Sequence, residues 1–220
     1  MQDEAAARAA VLAAAQGMLS HGLSSGTSGN VSARLGDGRI VITPSQRPYP
    51  ELGAGDLVVI TPDGELAGPA AAGRVPSSET QLHCACYQAF PEIGGIVHSH
   101  PPFATMFAAA RQPVPAAIDE AVLFLGGDIP VAGYAPSGSA RVGQNAVQLL
   151  ADRASALLAS HGMVSIAASP AQALHCAVIS EHCAQVAWGA RALGGPATLP
   201  ASTVQAFGRA YLQARRSAHS

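Results

Sequence analysis

Lysine is missing from this chain of 220 residues: all twelve basic side chains are arginine. Schiff-base chemistry on a carbonyl substrate needs a lysine amine, and so does covalent anchoring of pyridoxal phosphate, so both are excluded. Any carbonyl chemistry has to draw on a metal as Lewis acid instead. Charge is sparse as well. Only 12% of the residues are charged, and a formal net charge of −2 gives no general attraction to nucleic acid or to an anionic membrane. The four cysteines, Cys84, Cys86, Cys176 and Cys183, show no C-x-x-C spacing and no sign of a secreted disulfide framework. They read as structural thiols, with Cys84 and Cys86 pointing different ways from one helix. No run approaches the roughly 20 apolar residues that span a bilayer. The first twenty residues are alanine-rich, but Glu4 and Arg8 interrupt them and no cleavable apolar core precedes a processing site. A soluble cytoplasmic protein is the expectation.

What is present suffices for one domain over residues 1–220, with a tail from about residue 195, since 49% of the chain is hydrophobic. A first helix runs from Glu4 to Ser20 and ends at His21-Gly22. Short strands follow over Val31–Arg34, Arg39–Thr43 and Asp56–Ile60, then a helix from Ser78 to Phe90. A strand over Ile93–His100 precedes a helix near Phe103–Ala110. Ile129–Gly133 reads as a strand, Ser137 as the cap of a helix to Ala151, and Pro170 as the start of a long helix to about Leu193. Hairpin-linked strands with helices between them imply an α/β fold with a mostly antiparallel sheet covered by helices.

The chemistry concentrates in Ile93-Gly94-Gly95-Ile96-Val97-His98-Ser99-His100, a short β-branched strand stopped by Pro101-Pro102. Side chains repeat every two residues along a strand, so His98 and His100 share a face and offer two imidazoles to one ion. His161 lies where two apolar stretches meet at Ser160-His161-Gly162, a turn at the edge of a sheet from which a third ligand can close the set. Three histidines and an open fourth position describe a catalytic zinc site.

Two segments are suited to an anion. The loop Gly26-Thr27-Ser28-Gly29-Asn30 is dense in small residues and hydroxyls, and Pro76-Ser77-Ser78-Glu79 sets hydroxyls and amides at a helix N-terminus. Ser78-x-x-Gln81 equally fits a capping box. Glu79 stands beside this second segment, and Glu120 interrupts the apolar stretch Ile118–Leu125, placed at an edge or in a cleft.

These residues together resemble the class II aldolase/adducin family, most closely its L-fuculose-1-phosphate aldolase branch. The resemblance runs from the first helix to about Pro200. It rests on Gly26-Thr27-Ser28-Gly29-Asn30-Val31-Ser32, Ile42-Thr43-Pro44-Ser45, Pro76-Ser77-Ser78-Glu79, Val97-His98-Ser99-His100, Gly126-Gly127 before Ile129-Pro130, and Ser160-His161-Gly162. It implies a three-layer fold with helices on both faces of the sheet, and a homotetramer with sites between neighbouring subunits. It implies one zinc per subunit on His98, His100 and His161, another divalent metal being the alternative. Glu79 would ligate the empty metal and then serve as acid/base. The substrate's phosphate would rest on Gly29, Asn30, Ser45, Ser77 and Ser78, with Gln46 where the family has a glycine. Glu120 falls where the fuculose enzymes carry a proton-donating tyrosine, as in relatives acting on 5-deoxy- or methylthio-ribulose phosphates, and Tyr211 matches a C-terminal tyrosine.

The implied reaction is cleavage of a ketose 1-phosphate, such as L-fuculose 1-phosphate or a 5-deoxy-ribulose 1-phosphate, to dihydroxyacetone phosphate and a small aldehyde through a metal-stabilised enediolate. The same metal chemistry serves 4-epimerases, decarboxylases and methylthioribulose-1-phosphate dehydratases, and adducin heads share the fold as binding modules. The expected partner is a small phosphorylated sugar. Of the other histidines, His83, His175 and His182 lie on expected helices and should tolerate substitution.

Overall fold

The computed structural model describes residues 3–217. The alanine-rich start forms α1 (Glu4–Ser20), which buries Ala7, Val11, Ala14, Ala15 and Met18, the spacing of one helical face. It closes with a Schellman pair, the Gly22 amide donating to the Leu19 carbonyl and the Leu23 amide to that of Met18. Seven strands follow: β1 (Asn30–Arg34), β2 (Ile40–Ile42), β3 (Val58–Ile60), β4 (Gly95–Ser99), β5 (Val131–Ala132), β6 (Ser155–Leu158) and β7 (Gly162–Ala167). Between and after them lie α2 (Thr80–Ala89), α3 (Pro102–Ala109), α4 (Asp119–Leu125), α5 (Ala140–Val147), α6 (Pro170–Arg191) and α7 (Ala201–Ser217).

The strands make one sheet in the order β3-β2-β1-β4-β7-β6-β5. Every pairing is antiparallel except β5 with β6. Alternation along the strands feeds two separate cores. Val31, Ala33, Val41, Val97 and Met163 face α1, α3, α4 and α6, whereas Ile40, Ile42, Ile96, Val164 and Ile166 face α2 and α5. Helices therefore cover both faces, as the three-layer reading requires.

The differences from the sequence reading are shifted element ends and two helices, α4 and α7, that it did not expect. β4 stops at Ser99, so His100 is the first residue beyond it. Helix α2 begins at Thr80 with Glu79 as its N-cap, so Ser78 is not the capping residue and no Ser78–Gln81 capping box forms. Helix α5 is preceded by Ser139 rather than capped by Ser137, and it ends at Val147. The stretch around Glu120 is helix α4, and the expected tail contains α7, which packs on α4. No described helix is long and apolar enough to cross a membrane. All four cysteines are buried and free, and burial pushes the Cys86 thiol up to about 12.

Candidate metal centre and anion cleft

His98 is on the central strand, paired in register with Asn30 of β1 and Val164 of β7. Its Nδ1 lies 2.9 Å from the Met163 carbonyl oxygen, which can only accept, so Nδ1 carries the proton and Nε2 keeps its lone pair. That is the outer hydrogen bond by which proteins orient a metal-binding imidazole. His100 follows the strand, its amide donating to the Leu23 carbonyl at the end of α1. His161 projects from the turn between β6 and β7, where Ser160 has a left-handed φ of 55° and takes a hydrogen bond from Arg111. Gly162 is required by proximity: a Cβ there would stand 2.5 Å from the Ser99 carbonyl oxygen and 2.7 Å from the His100 ring.

The three rings converge. Their centroids are 4.7 to 5.0 Å apart, and one ligand nitrogen from each falls within 4.8 Å of the others. Burial, reinforced by repulsion from His100 and His161, holds His98 well below the ordinary histidine pKa. Burial and His161 lower His100 to about 4. His98 and His100 are thus held as neutral imidazoles, the form that a divalent metal needs.

Glu79 completes the cluster. It is buried, with Oε1 3.8 Å from the His161 Nε2. Oε1 accepts from the Ser137 hydroxyl and, at 2.8 Å, from the Gly138 amide, while Oε2 is buried without a hydrogen-bond partner. A buried carboxylate with one oxygen unpartnered and the other near the His161 ring is a costly arrangement for a metal-free protein. The donor set of three histidine nitrogens and an adjacent carboxylate thus fits a divalent metal.

The cluster forms the floor of a cleft of about 190 Å³. Its walls bring together the two anion segments: Thr27, Ser28, Gly29 and Asn30 on one side, Ser77 and Ser78 on another, with Ser45 and Gln46 between them. Ser77 accepts the Glu79 amide through its Oγ, bending the chain into α2. The Gly29 backbone has φ 80°, and a Cβ on it would stand 2.7 Å from the His98 carbonyl oxygen. Gln46 holds φ 56°, the left-handed conformation natural to glycine. Ten of the twelve expected site positions, Gly29, Asn30, Ser45, Gln46, Ser77, Ser78, Glu79, His98, His100 and His161, line this cleft.

Glu120 and Tyr211 do not. Glu120 is in the first turn of α4, where its charge is felt by the Cys183 thiol. Tyr211, on α7, borders a different cavity of about 330 Å³ with Phe124, His175, Cys176 and Arg215. Two participants escape a sequence reading. Ser137 reads as a helix cap, yet its hydroxyl serves Glu79. His83, expected to tolerate substitution, is completely buried and hydrogen-bonded through both ring nitrogens. A histidine and a tyrosine four apart on an apolar helix, Cys84-Ala85-Cys86 between them, were the only signal for it.

The family described as class II aldolase and adducin N-terminal domain matches residues 9–188. A 5-methylthioribulose-1-phosphate/5-deoxyribulose-1-phosphate aldolase of Rhodospirillum rubrum is 35% identical over 200 residues, 91% of this chain and 88% of that protein. A 5-deoxy-D-ribulose 1-phosphate aldolase of Bacillus thuringiensis serovar kurstaki is 32% identical over 88% of this chain and 89% of its own length. The solved structure of an L-fuculose 1-phosphate aldolase superposes with a TM-score of 0.87 at 28% identity, covering 94% of this chain and 96% of that one. On this family match and these relatives, the chain belongs to the class II aldolase and adducin family.

Proposed function

We propose that this protein is a zinc-dependent aldolase that cleaves a ketose 1-phosphate of the 5-deoxy-ribulose or L-fuculose type to dihydroxyacetone phosphate and a small aldehyde. The observation that carries the reading is the convergence of His98, His100 and His161 beside buried Glu79 at the floor of an anion-suited cleft. In this reading the three histidines hold the metal and Glu79 joins them before substrate arrives. When bound, the metal supplies Lewis acidity to the ketose oxygens.

The chain's own groups do the rest. The loop around Gly29 and Asn30, together with Ser45, Gln46, Ser77 and Ser78, binds the phosphate through amides and hydroxyls and fixes the sugar over the histidines. Breaking the bond between C3 and C4 leaves an electron pair on C3 and requires the C4 hydroxyl to lose its proton. Glu79 moves the proton at C3, and Ser137 with the Gly138 amide keeps its carboxylate aimed there. The C4 oxygen needs a second group, for which Glu120 and Tyr211 are the candidates. Both lie outside the cleft of their own chain, so each reaches a cleft only across a subunit boundary. The reading therefore includes a homotetramer with sites between subunits, acting in the cytoplasm.

The test is to load the purified protein with zinc and offer 5-deoxyribulose 1-phosphate, L-fuculose 1-phosphate and methylthioribulose 1-phosphate. Stoichiometric dihydroxyacetone phosphate and aldehyde are the expected products. An epimer, carbon dioxide or a dehydrated ketose as sole product would replace the aldolase assignment, and metal-independent inertness towards all three would remove it.

A further inference from the structure

The register that turns Val31 and Ala33 toward α1 turns Asn30 and Ser32 toward α2. On α2, His83 and Tyr87 lie one turn apart and meet them. The Ser32 Oγ is 2.6 Å from the His83 Nδ1 and 2.9 Å from the Tyr87 hydroxyl. On the other side of the ring, the His83 Nε2 is 2.5 Å from the Asn30 Oδ1. All four groups are buried, and Asn30 alone also lines the cleft.

The donors and acceptors in this chain have one consistent direction. An amide oxygen only accepts, so the His83 Nε2 carries the proton and its Nδ1 must accept from Ser32, which in turn accepts from Tyr87. A flip of the Asn30 amide would require the ring to change tautomer and the chain to reverse, leaving the buried Tyr87 hydroxyl proton without an acceptor among the described residues, so the amide is held as it stands. Its NH₂ has no protein acceptor among the described residues and is left to the cleft. A flipped Asn30 would offer a carbonyl oxygen, which repels an anion.

We propose that His83 is a positioning residue for substrate binding: it locks the Asn30 amide so that a hydrogen-bond donor, not an acceptor, meets the phosphoryl group. This rests on the sugar-phosphate reading of the cleft. Burial takes the His83 pKa down to about 3, so the ring stays neutral and the lock holds across the working pH range.

The experiment is a double-mutant cycle read by calorimetric titration of inorganic phosphate into the zinc-loaded protein. His83→Met should weaken phosphate binding by about 10–100-fold, the weight of one hydrogen bond to a charged partner. It should raise KM while metal content and kcat hold. His83→Gln, whose Nε2–H can still reach the Asn30 Oδ1, should restore binding to within about threefold of the unaltered protein. In an Asn30→Ala background His83→Met should cost nothing further, because its effect passes through Asn30. If His83→Met does not fold, Ser32→Ala, which removes only the hydroxyl that sets the ring's tautomer, carries the same cycle. Equal losses in the Asn30 and Asn30→Ala backgrounds, or unchanged phosphate affinity in the His83 or Ser32 variant, would overturn the inference alone. An unaltered protein that binds no phosphate would overturn both the inference and the reading beneath it.

Discussion

Acidification should destabilise the metal-free protein by an amount that His83 makes calculable. In the folded chain burial lowers its pKa from 6.5 to about 3, while in the unfolded chain the ring titrates near 6.5. Between those values the unfolded chain binds the additional proton. The contribution is therefore complete above about 6.5 and is lost as the pH falls. At pH 5 the solution is about 1.5 units below the unfolded value and still above the folded one, so the loss from this ring is about 2 kcal/mol. Other histidines with lowered pKa add to the total: half-buried His100, at about 4, loses stability over the same interval. His83→Gln removes one titrating group and leaves the others in place. Urea unfolding of the unaltered and variant proteins at pH 8 and pH 5, with chelator and at one protein concentration, isolates the term. The unaltered protein should lose about 2 kcal/mol more than the variant on going to pH 5. Losses equal to within about 0.5 kcal/mol would mean that His83 is hydrated or charged in the folded state, and the buried network would be wrong.

Three further outcomes follow from the site. His161→Ala should strip the protein of stoichiometric metal by elemental analysis, because two imidazoles seldom retain zinc in a catalytic geometry; full occupancy would contradict the ligand assignment. Glu79→Gln should keep the metal and lower turnover by about 10²–10⁴-fold, whereas near-normal turnover would move the proton transfer to another group. Gln46→Gly should raise stability by about 1 kcal/mol by relieving a left-handed backbone, seen as a higher urea midpoint at unchanged slope. A lower midpoint would show that the Gln46 side chain makes a contact worth more than the strain.

The parts of the site legible in sequence are those coded by short spacing. His98 and His100 follow from the period of a strand, and the strand from its β-branched run and the two prolines that stop it. The pairing of Ser77 with Glu79 is also local, two residues apart on one turn. What is illegible depends on chain separation and on competition between helix signals. Ile118–Leu125 has the apolar density of a strand, but it packs as α4 against α6 and α7, and tertiary burial decides. The Ala201–Ser217 helix leaves no fully buried residue, but Val204, Phe207 and Tyr211 lie half-buried along one face, a helical spacing that was there to be read beyond the Gly194-Gly195-Pro196 break. Ser78 was one of several small polar residues able to begin α2. The chain turns instead at Ser77, whose Oγ takes the Glu79 amide, and that moves the start of the helix two residues on.

The polar groups that tune the ligands are the hardest to read because their partners are far away in sequence and chemically ordinary. Ser137 sits 58 residues from the Glu79 carboxylate it holds, and His83 sits 53 residues from the Asn30 amide it orients. A serine before a helix and a histidine inside one each have a commoner explanation, capping for the first and an exposed helical position for the second. Only the register of β1 against β4, which turns Asn30 and Ser32 to the α2 side of the sheet, makes His83 and Tyr87 their necessary partners. Buried hydroxyls and amides must find hydrogen bonds, and on an otherwise apolar interface the available partners are few. The strand that carries His98 therefore also fixes, through its neighbour, which end of Asn30 faces the cleft. In the proposed reading, metal ligation and anion recognition are set by adjacent strands of one sheet, and a slip of a single residue in β1 against β4 would turn Asn30 away from His83 and the cleft while leaving the three histidines together.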